Sequence, residues 1–233
     1  MKKRILIKVS GASLKGESSS FDLQKIQNLA SQVKELSQDY SIGLVVGGGN
    51  IFRGNVAKDF DLDRNNADYI GMLATVMNGL LIKNVFLKNA IPTEVYSAIS
   101  MNKICEEFCI RNVKQALDND TVCIFVAGTG SPFFTTDSGA ALRASEISAD
   151  MILMGKNGVD GVYDSDPLKN PNAQRFDKLT YSEVLEKNLT IMDHSALTLC
   201  KDNNVEIVVF NIDEPNSFVK AMKHEIKTTI ISR

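Results

Sequence analysis

The stretch Arg4-Ile5-Leu6-Ile7-Lys8-Val9-Ser10-Gly11-Ala12-Ser13 decides the fold: a short β-branched apolar run that breaks into a glycine-containing polar loop. The pattern returns at residues 42–50, where an apolar run opens into Gly47-Gly48-Gly49-Asn50. It returns again at 121–132, where the run opens into Gly128-Thr129-Gly130-Ser131-Pro132. Residues 93–97, 151–154 and 205–211 read as further buried strands. Between the strands lie segments of helical period: 23–36, with apolar residues at 23, 26, 29, 30, 33 and 36, then 66–87, then 138–147. Strand–helix alternation of this kind predicts an α/β three-layer sandwich, a mostly parallel central sheet covered on both faces. There is no internal repeat and no low-complexity linker. The chain reads as a single domain over 1–233, with an N-terminal lobe to about residue 149 and a C-terminal lobe from about 150, where a second set of strands begins.

The 233 residues carry 26 Lys+Arg against 28 Asp+Glu, a net charge of −2, with 44% hydrophobic and 23% charged residues. A chain of this size buries roughly 70–75% of its unfolded surface. The composition excludes disorder, coiled coil and a disulfide scaffold. A nucleic-acid partner normally demands a basic excess, and with no Trp and 7% aromatics there is little to stack bases on. Met1-Lys2-Lys3-Arg4 starts like a signal peptide, but the apolar run ends at Lys8. The longest apolar stretch, 71–82, contains Thr75 and Asn78 and is too short to span a bilayer, so no membrane partner is expected. Cys105, Cys109, Cys123 and Cys200 form no Cys-x-x-Cys pair and read as reduced, mostly buried thiols of a cytoplasmic protein. With only His194 and His224 beside them, no protein-built metal site is expected.

Ligands of open α/β sheets sit at the carboxyl ends of the strands, where this chain concentrates glycine. Amides in such loops, backed by helix dipoles, suit phosphate. Two familiar phosphate motifs fail. The near-Walker run Gly11-Ala12-Ser13-Leu14-Lys15-Gly16-Glu17-Ser18 places Glu17 where lysine is needed. Gly47-Gly48-Gly49-Asn50-Ile51-Phe52 lacks the third dinucleotide-fold glycine. Asp193-His194-Ser195 is a sequence coincidence, not a triad. Asp160 to Pro167 is acidic and turn-rich but lacks EF-hand spacing.

Four residues admit two readings each. Lys8 is an edge-strand lysine, or a cation delivered from a rigid strand to bound phosphates. Arg53 is a surface arginine or a forked phosphate donor. Asp137 caps the helix that follows, or orients Lys8 or draws a Mg²⁺-bound phosphate into place. Asp68 is an ordinary acid near a helix start, or an acceptor for ribose hydroxyls.

Taken together, Lys8-Val9-Ser10-Gly11, Gly47 to Gly54 (Gly-Gly-Gly-Asn-Ile-Phe-Arg-Gly), Gly71 to Gly79 (Gly-Met-Leu-Ala-Thr-Val-Met-Asn-Gly), Gly128 to Asp137 (Gly-Thr-Gly-Ser-Pro-Phe-Phe-Thr-Thr-Asp) and Asp160-Gly161-Val162-Tyr163 with Asp166-Pro167 resemble the amino acid kinase family, and within it the bacterial uridylate kinases. The resemblance runs from about Arg4 to Ile230. It implies that fold and the reaction UMP + ATP → UDP + ADP with Mg²⁺ held mainly through the nucleotide phosphates, an early step towards UTP and CTP. The N-terminal lobe would bind UMP and the C-terminal lobe ATP. By the same resemblance Lys8 and Asp137 are catalytic, and Lys8, Val9, Ser10, Gly11, Gly49 and Arg53 meet ATP phosphates. Asn157, Tyr163 and Asp166 would enclose adenosine. Gly48 and Asp68 would hold UMP, together with Thr129, Gly130, Ser131, Pro132, Phe133, Phe134, Thr135 and Thr136. A homohexamer built as a trimer of dimers is implied, with the helix around 71–82 packed partly on a partner or simply in the core, and UTP as feedback inhibitor. Two departures stand out: residues 15–21 are poorer in glycine than the loop that relatives associate with GTP activation, and Ser131 stands where several relatives have Asn. Rival readings are a kinase of the same fold acting on a carboxylate or carbamate, and a nucleotide or oxyanion store without catalysis.

Overall fold

The computed structural model describes residues 2–233, and Asn55 through its backbone alone. Strand β1 (Lys3–Val9) lies mid-sheet, and Ile5, Leu6 and Ile7 are wholly buried because both sheet faces are covered. β2 (Tyr40–Val46), β3 (Thr93–Ser97), β4 (Glu106–Glu107) and β5 (Val122–Val126) lie on one side of it. β6 (Met151–Lys156), then β10 (Glu206–Asn211), β11 (Thr228–Ser232) and β9 (Lys178–Thr180) lie on the other. Among the described residues the order is β4-β3-β5-β2-β1-β6-β10-β11-β9, nine strands with only the β10–β11 pairing antiparallel. β7 (Val162–Tyr163) and β8 (Arg175–Phe176) form a separate antiparallel pair. The expected mostly parallel three-layer sandwich is the fold found.

Alternation along β1 sorts the two cores. Ile5, Ile7 and Val9 join the core under α1 (Leu23–Leu36), α3 (Arg64–Lys88) and α8 (Ser217–Met222). Leu6 joins the core under α4 (Ile110–Asp118), α5 (Thr136–Glu146), α6 (Tyr181–Glu186) and α7 (His194–Asp202). Helix α1 starts where the Asp22 carboxylate accepts from the amides of Gln24 and Lys25, and it buries Ile26, Leu29, Ala30, Val33 and Leu36. Leu23, counted in the apolar stripe, is 60% exposed instead, because it stands in the first turn beyond the edge of the sheet contact. A short helix α2 (Gly54–Asp59) follows the triple glycine.

The apolar stretch 71–82 is the middle of the 25-residue α3. By length and composition alone α3 could cross a membrane, but in this fold it packs on β3, β5 and α1. Three of the four cysteines are buried, and none is paired. Burial pushes the Cys123 and Cys200 thiols up to about 12, away from the reactive thiolate.

The chain winds from β1 towards β5 and then crosses back to β6, so the strand order reverses beside β1. The crevice at that reversal is where open α/β sheets take their ligands.

Candidate active site

Lys8 follows Leu6 on the same face of β1, where the apolar alternation would call for another core residue. Its strand partners are Val45 and Met154. That face is covered by α5, whose Ala140, Ala141 and Ala144 are completely buried and let the helix approach closely. The approach brings Asp137, in the first turn of α5, over the end of β1. Lys8 Nζ stands 2.5 Å from Asp137 Oδ1, both side chains largely enclosed. The contact is a charge pair without hydrogen-bond alignment: Oδ1 is buried and has no hydrogen-bond donor among the described residues. Asp137 therefore does not cap its helix. Thr135 does, accepting from the amides of Asp137 and Ser138 while Ser138 returns the bond, a capping box that leaves the Asp137 carboxylate to face Lys8.

A second lysine joins this pair. Lys156 lies two residues past Met154, the strand partner of Lys8, on the same face, and donates 2.5 Å to the carbonyl of Ile191. Burial, and then the nearby Lys8, hold its ammonium below the ordinary lysine value, with Asp137 opposing the shift. The alternation Ile152, Met154, Lys156 repeats Leu6, Lys8 in miniature. The sequence carries that signal, but the apolar run 151–154 ends two residues short of Lys156 and hides it. Asp193, whose run with His194 and Ser195 forms no triad, is also part of the site. It caps α7 through Oδ1, which accepts from the Ala196 amide and the Ser195 hydroxyl. Through Oδ2 it accepts from the hydroxyls of Thr135 and Ser138. Burial raises this carboxyl, but the four donors outweigh it and leave it below the usual carboxylate value. The N-terminus of α5, and Asp137 with it, is thus tied to the second half of the chain.

On the β2 side of Lys8 lies a cleft of about 850 Å³. Gly48 and Gly49 of the triple glycine line it. A Cβ on Gly11 would come within 2.4 Å of the Gly49 amide, and one on Gly48 within 2.7 Å of the Gly71 carbonyl, so the two loops and α3 meet where no side chain fits. A reciprocal amide pair fixes this junction. Asn50 and the completely buried Asn78 exchange bonds of 2.9 and 2.8 Å, and Asn78 also donates 2.7 Å to the Gly47 carbonyl. The cleft is walled by Gly48, Gly49, Asp68, Thr129, Ser131, Phe134, Thr135 and Thr136, with Lys58 and Arg64 at its side. Gly130, Pro132 and Phe133 do not line it. Gly130 turns against Ala98, and Phe133 lies under Arg64 at the rim. Asp68 Oδ2 accepts from the Phe133 amide at 2.7 Å and from Arg64 Nε at 2.7 Å. Arg53 is exposed, its Nε folded back 2.5 Å onto the Gly49 carbonyl.

On the β6 side lies a second cavity of about 500 Å³, bounded by Lys156, Asn157, Tyr163, Asp166, Leu189 and Val209 among others. The Tyr163 hydroxyl donates 2.6 Å to Asp160, and that bond with burial raises its pKa. Asn157 donates 2.9 Å to Asp213. A third hollow of about 440 Å³, touched by Val9, Ser13, Asn157 and Asp213, opens on the other sheet face, beside the loop of Ser10 and Gly11. Ser10 caps the 3-10 turn Gly11–Leu14, accepting from the Ser13 amide.

Strand order places Lys8 and Lys156 between the two larger cavities, with glycine-loop amides on one side and a capped helix start above. This is the arrangement of an α/β phosphotransferase, in which two anionic ligands meet over a strand-borne cation. The model of the amino acid kinase family matches residues 3–211. The chain is 51% identical over 233 residues to the uridylate kinase of Ureaplasma parvum serovar 3, covering 100% of this chain and 99% of that one. The crystal structure of UMP kinase from Ureaplasma parvum superposes with a TM-score of 0.98 at 50% identity over 100% of both chains. That of UMP kinase from Bacillus anthracis gives 0.94 at 36% identity, covering 99% of this chain and 96% of that one. The chain belongs to the amino acid kinase family.

Proposed function

We propose that this chain transfers the terminal phosphoryl group of ATP to UMP, giving UDP and ADP on the route to UTP and CTP. The observation that carries the reading is the Lys8–Asp137 pair between two cavities of nucleotide size. The similar proteins named uridylate kinase and UMP kinase support the choice of substrate.

UMP takes the β2-side cleft in the N-terminal lobe, its ribose at Asp68 and its base and phosphate within 129–136. ATP takes the β6-side cavity in the C-terminal lobe, its adenosine at Asn157, Tyr163 and Asp166, its phosphates towards Ser10, Gly11, Gly49 and Arg53. A phosphate oxygen of UMP attacks the γ-phosphorus, and the bond from that phosphorus to the ADP oxygen breaks. The attacking phosphate is already ionised, so no general base is required. What the chain supplies is position and positive charge: Lys8, with Lys156 beside it, meets the charge on the transferring group, while Asp137 holds Lys8 in line. Bound through the nucleotide phosphates, Mg²⁺ would neutralise further charge. The residues fit such an ion beside the phosphates: the buried Asp137 Oδ1 faces the Lys8 ammonium and, among the described residues, accepts no hydrogen bond.

The protein works in the cytoplasm as a homohexamer, a trimer of dimers, with UTP as feedback inhibitor. The exposed apolar positions Tyr69, Ile70, Leu73 and Met77 on α3 support a partner there. A coupled ADP-release assay with UMP, CMP, dTMP, aspartate and glutamate as acceptors tests the function. Turnover with UMP well above every other acceptor is expected; a preference for a carboxylate, or tight nucleotide binding without turnover, would replace the reading.

A further inference from the structure

We infer that Arg64 is a positioning residue for the acceptor nucleotide, acting through Asp68 and Phe133 as a clasp over the loop that follows β5. The inference rests on the assignment of UMP to the β2-side cleft.

Three observations carry it. First, Arg64 Nε donates 2.7 Å to Asp68 Oδ2 one helical turn away, and the Phe133 amide donates to the same oxygen at 2.7 Å. Both donors fall on Oδ2, and among the described residues Oδ1 accepts no hydrogen bond. One oxygen is thus occupied by the protein and the other is free for a hydroxyl of the ligand. Second, the Arg64 guanidinium carbon lies 5.5 Å from the centroid of the Phe133 ring, within cation–π range. Third, Phe133 has no packing reason to be where it is. The residue is 63% exposed, and its backbone adopts a left-handed φ of 72°, unfavourable for a bulky residue. A loop residue that is strained and unburied must be held by specific contacts, and the Asp68 carboxylate and the Arg64 guanidinium are those the structure provides.

The geometry gives Arg64 two effects at once. It sets the direction of the Asp68 carboxylate, and it holds the 131–134 segment against the start of α3, so that Ser131 and Phe134 stay on the wall of the cleft. Arg64 itself is more than half exposed and buries little, so its removal leaves the fold intact.

The test compares the wild-type chain with Arg64→Ala, Arg64→Lys and Phe133→Leu. Arg64→Ala is expected to raise the KM for UMP about three- to tenfold, as loss of one exposed ion pair and one cation–π contact would. The KM for ATP and kcat should stay within about twofold. Arg64→Lys, which keeps the charge and loses the flat guanidinium, falls between. Arg64→Ala combined with Phe133→Leu should be no worse than the stronger single change, because both break one contact. Amide hydrogen exchange supplies a readout independent of turnover: in the nucleotide-free protein Phe133 N–H should exchange about tenfold faster in Arg64→Ala. Unchanged exchange at Phe133, equal rises in both KM values, or additive effects in the double variant would each overturn the clasp. Absence of UMP turnover in the wild-type chain would instead overturn the assigned reaction, and exchange at Phe133 would still decide the clasp.

Discussion

Lys156 stands two residues past the strand position that faces Lys8, and its charge is costly there. Because burial and Lys8 hold its folded pKa below 10.5, the folded chain binds fewer protons than the unfolded chain between the two values. Stability therefore rises with pH across that window, and the penalty is full below the depressed pKa. Lys156→Met removes the titration, so its melting temperature relative to wild type should be highest near neutral pH and fall as pH climbs towards 10.5. A difference that stays flat with pH would contradict the burial argument. Asp68→Ala should raise the KM for UMP far more than that for ATP, since Asp68 lines only the β2-side cleft; equal effects in steady-state kinetics would refute the placement. At this scale the sequence was legible where a residue broke a pattern. Lys8 interrupts an apolar strand and was visible for that reason. Asp193 follows helix-cap rules perfectly, so nothing local betrays the two hydroxyls it receives from a segment 55 and 58 residues away.

Helix α3 holds the start of the acceptor loop from below. Thr75 Oγ1 accepts from the Ala127 amide at 2.7 Å while donating 2.6 Å to Met72, and Ala127 sits at a left-handed φ of 59°. Thr75→Val keeps the shape and orphans that buried amide, which should cost about 1–3 kcal/mol in urea unfolding. A loss below about 0.5 kcal/mol would show that the turn holds itself. The long elements were legible because periodicity had room to declare itself: strands β1, β2, β3, β5, β6 and β10 and helices α1, α3 and α5 lie within a few residues of their expected bounds. β4, β7 and β8 have two residues each and β9 has three, too few for an alternation to be read. They exist because neighbouring backbone offers hydrogen bonds, which is tertiary information. Helices α4 and α7 went unread for a related reason: each buries only two or three side chains over nine residues.

For the molecule as a whole, a net charge of −2 and two polyanionic ligands are compatible because the positive field is local. Lys8 and Lys156 lie at the strand reversal, Lys58 and Arg64 beside the cleft, and backbone amides line the loops. The proposed assembly is tested at this scale too. Leu73→Glu, at a position 49% exposed on α3, should lower the sedimentation mass of the native protein without changing its circular dichroism; an unchanged mass would mean that this face is not an interface. The central claim is that Lys8 serves the transferring group between two nucleotides. ADP release at saturating ATP and UMP, measured for wild type and Lys8→Ala, tests it most directly. A fall in kcat on the order of 10²–10³, with melting temperature and the KM for UMP nearly unchanged, is the expected result. Turnover by Lys8→Ala close to that of wild type would contradict it.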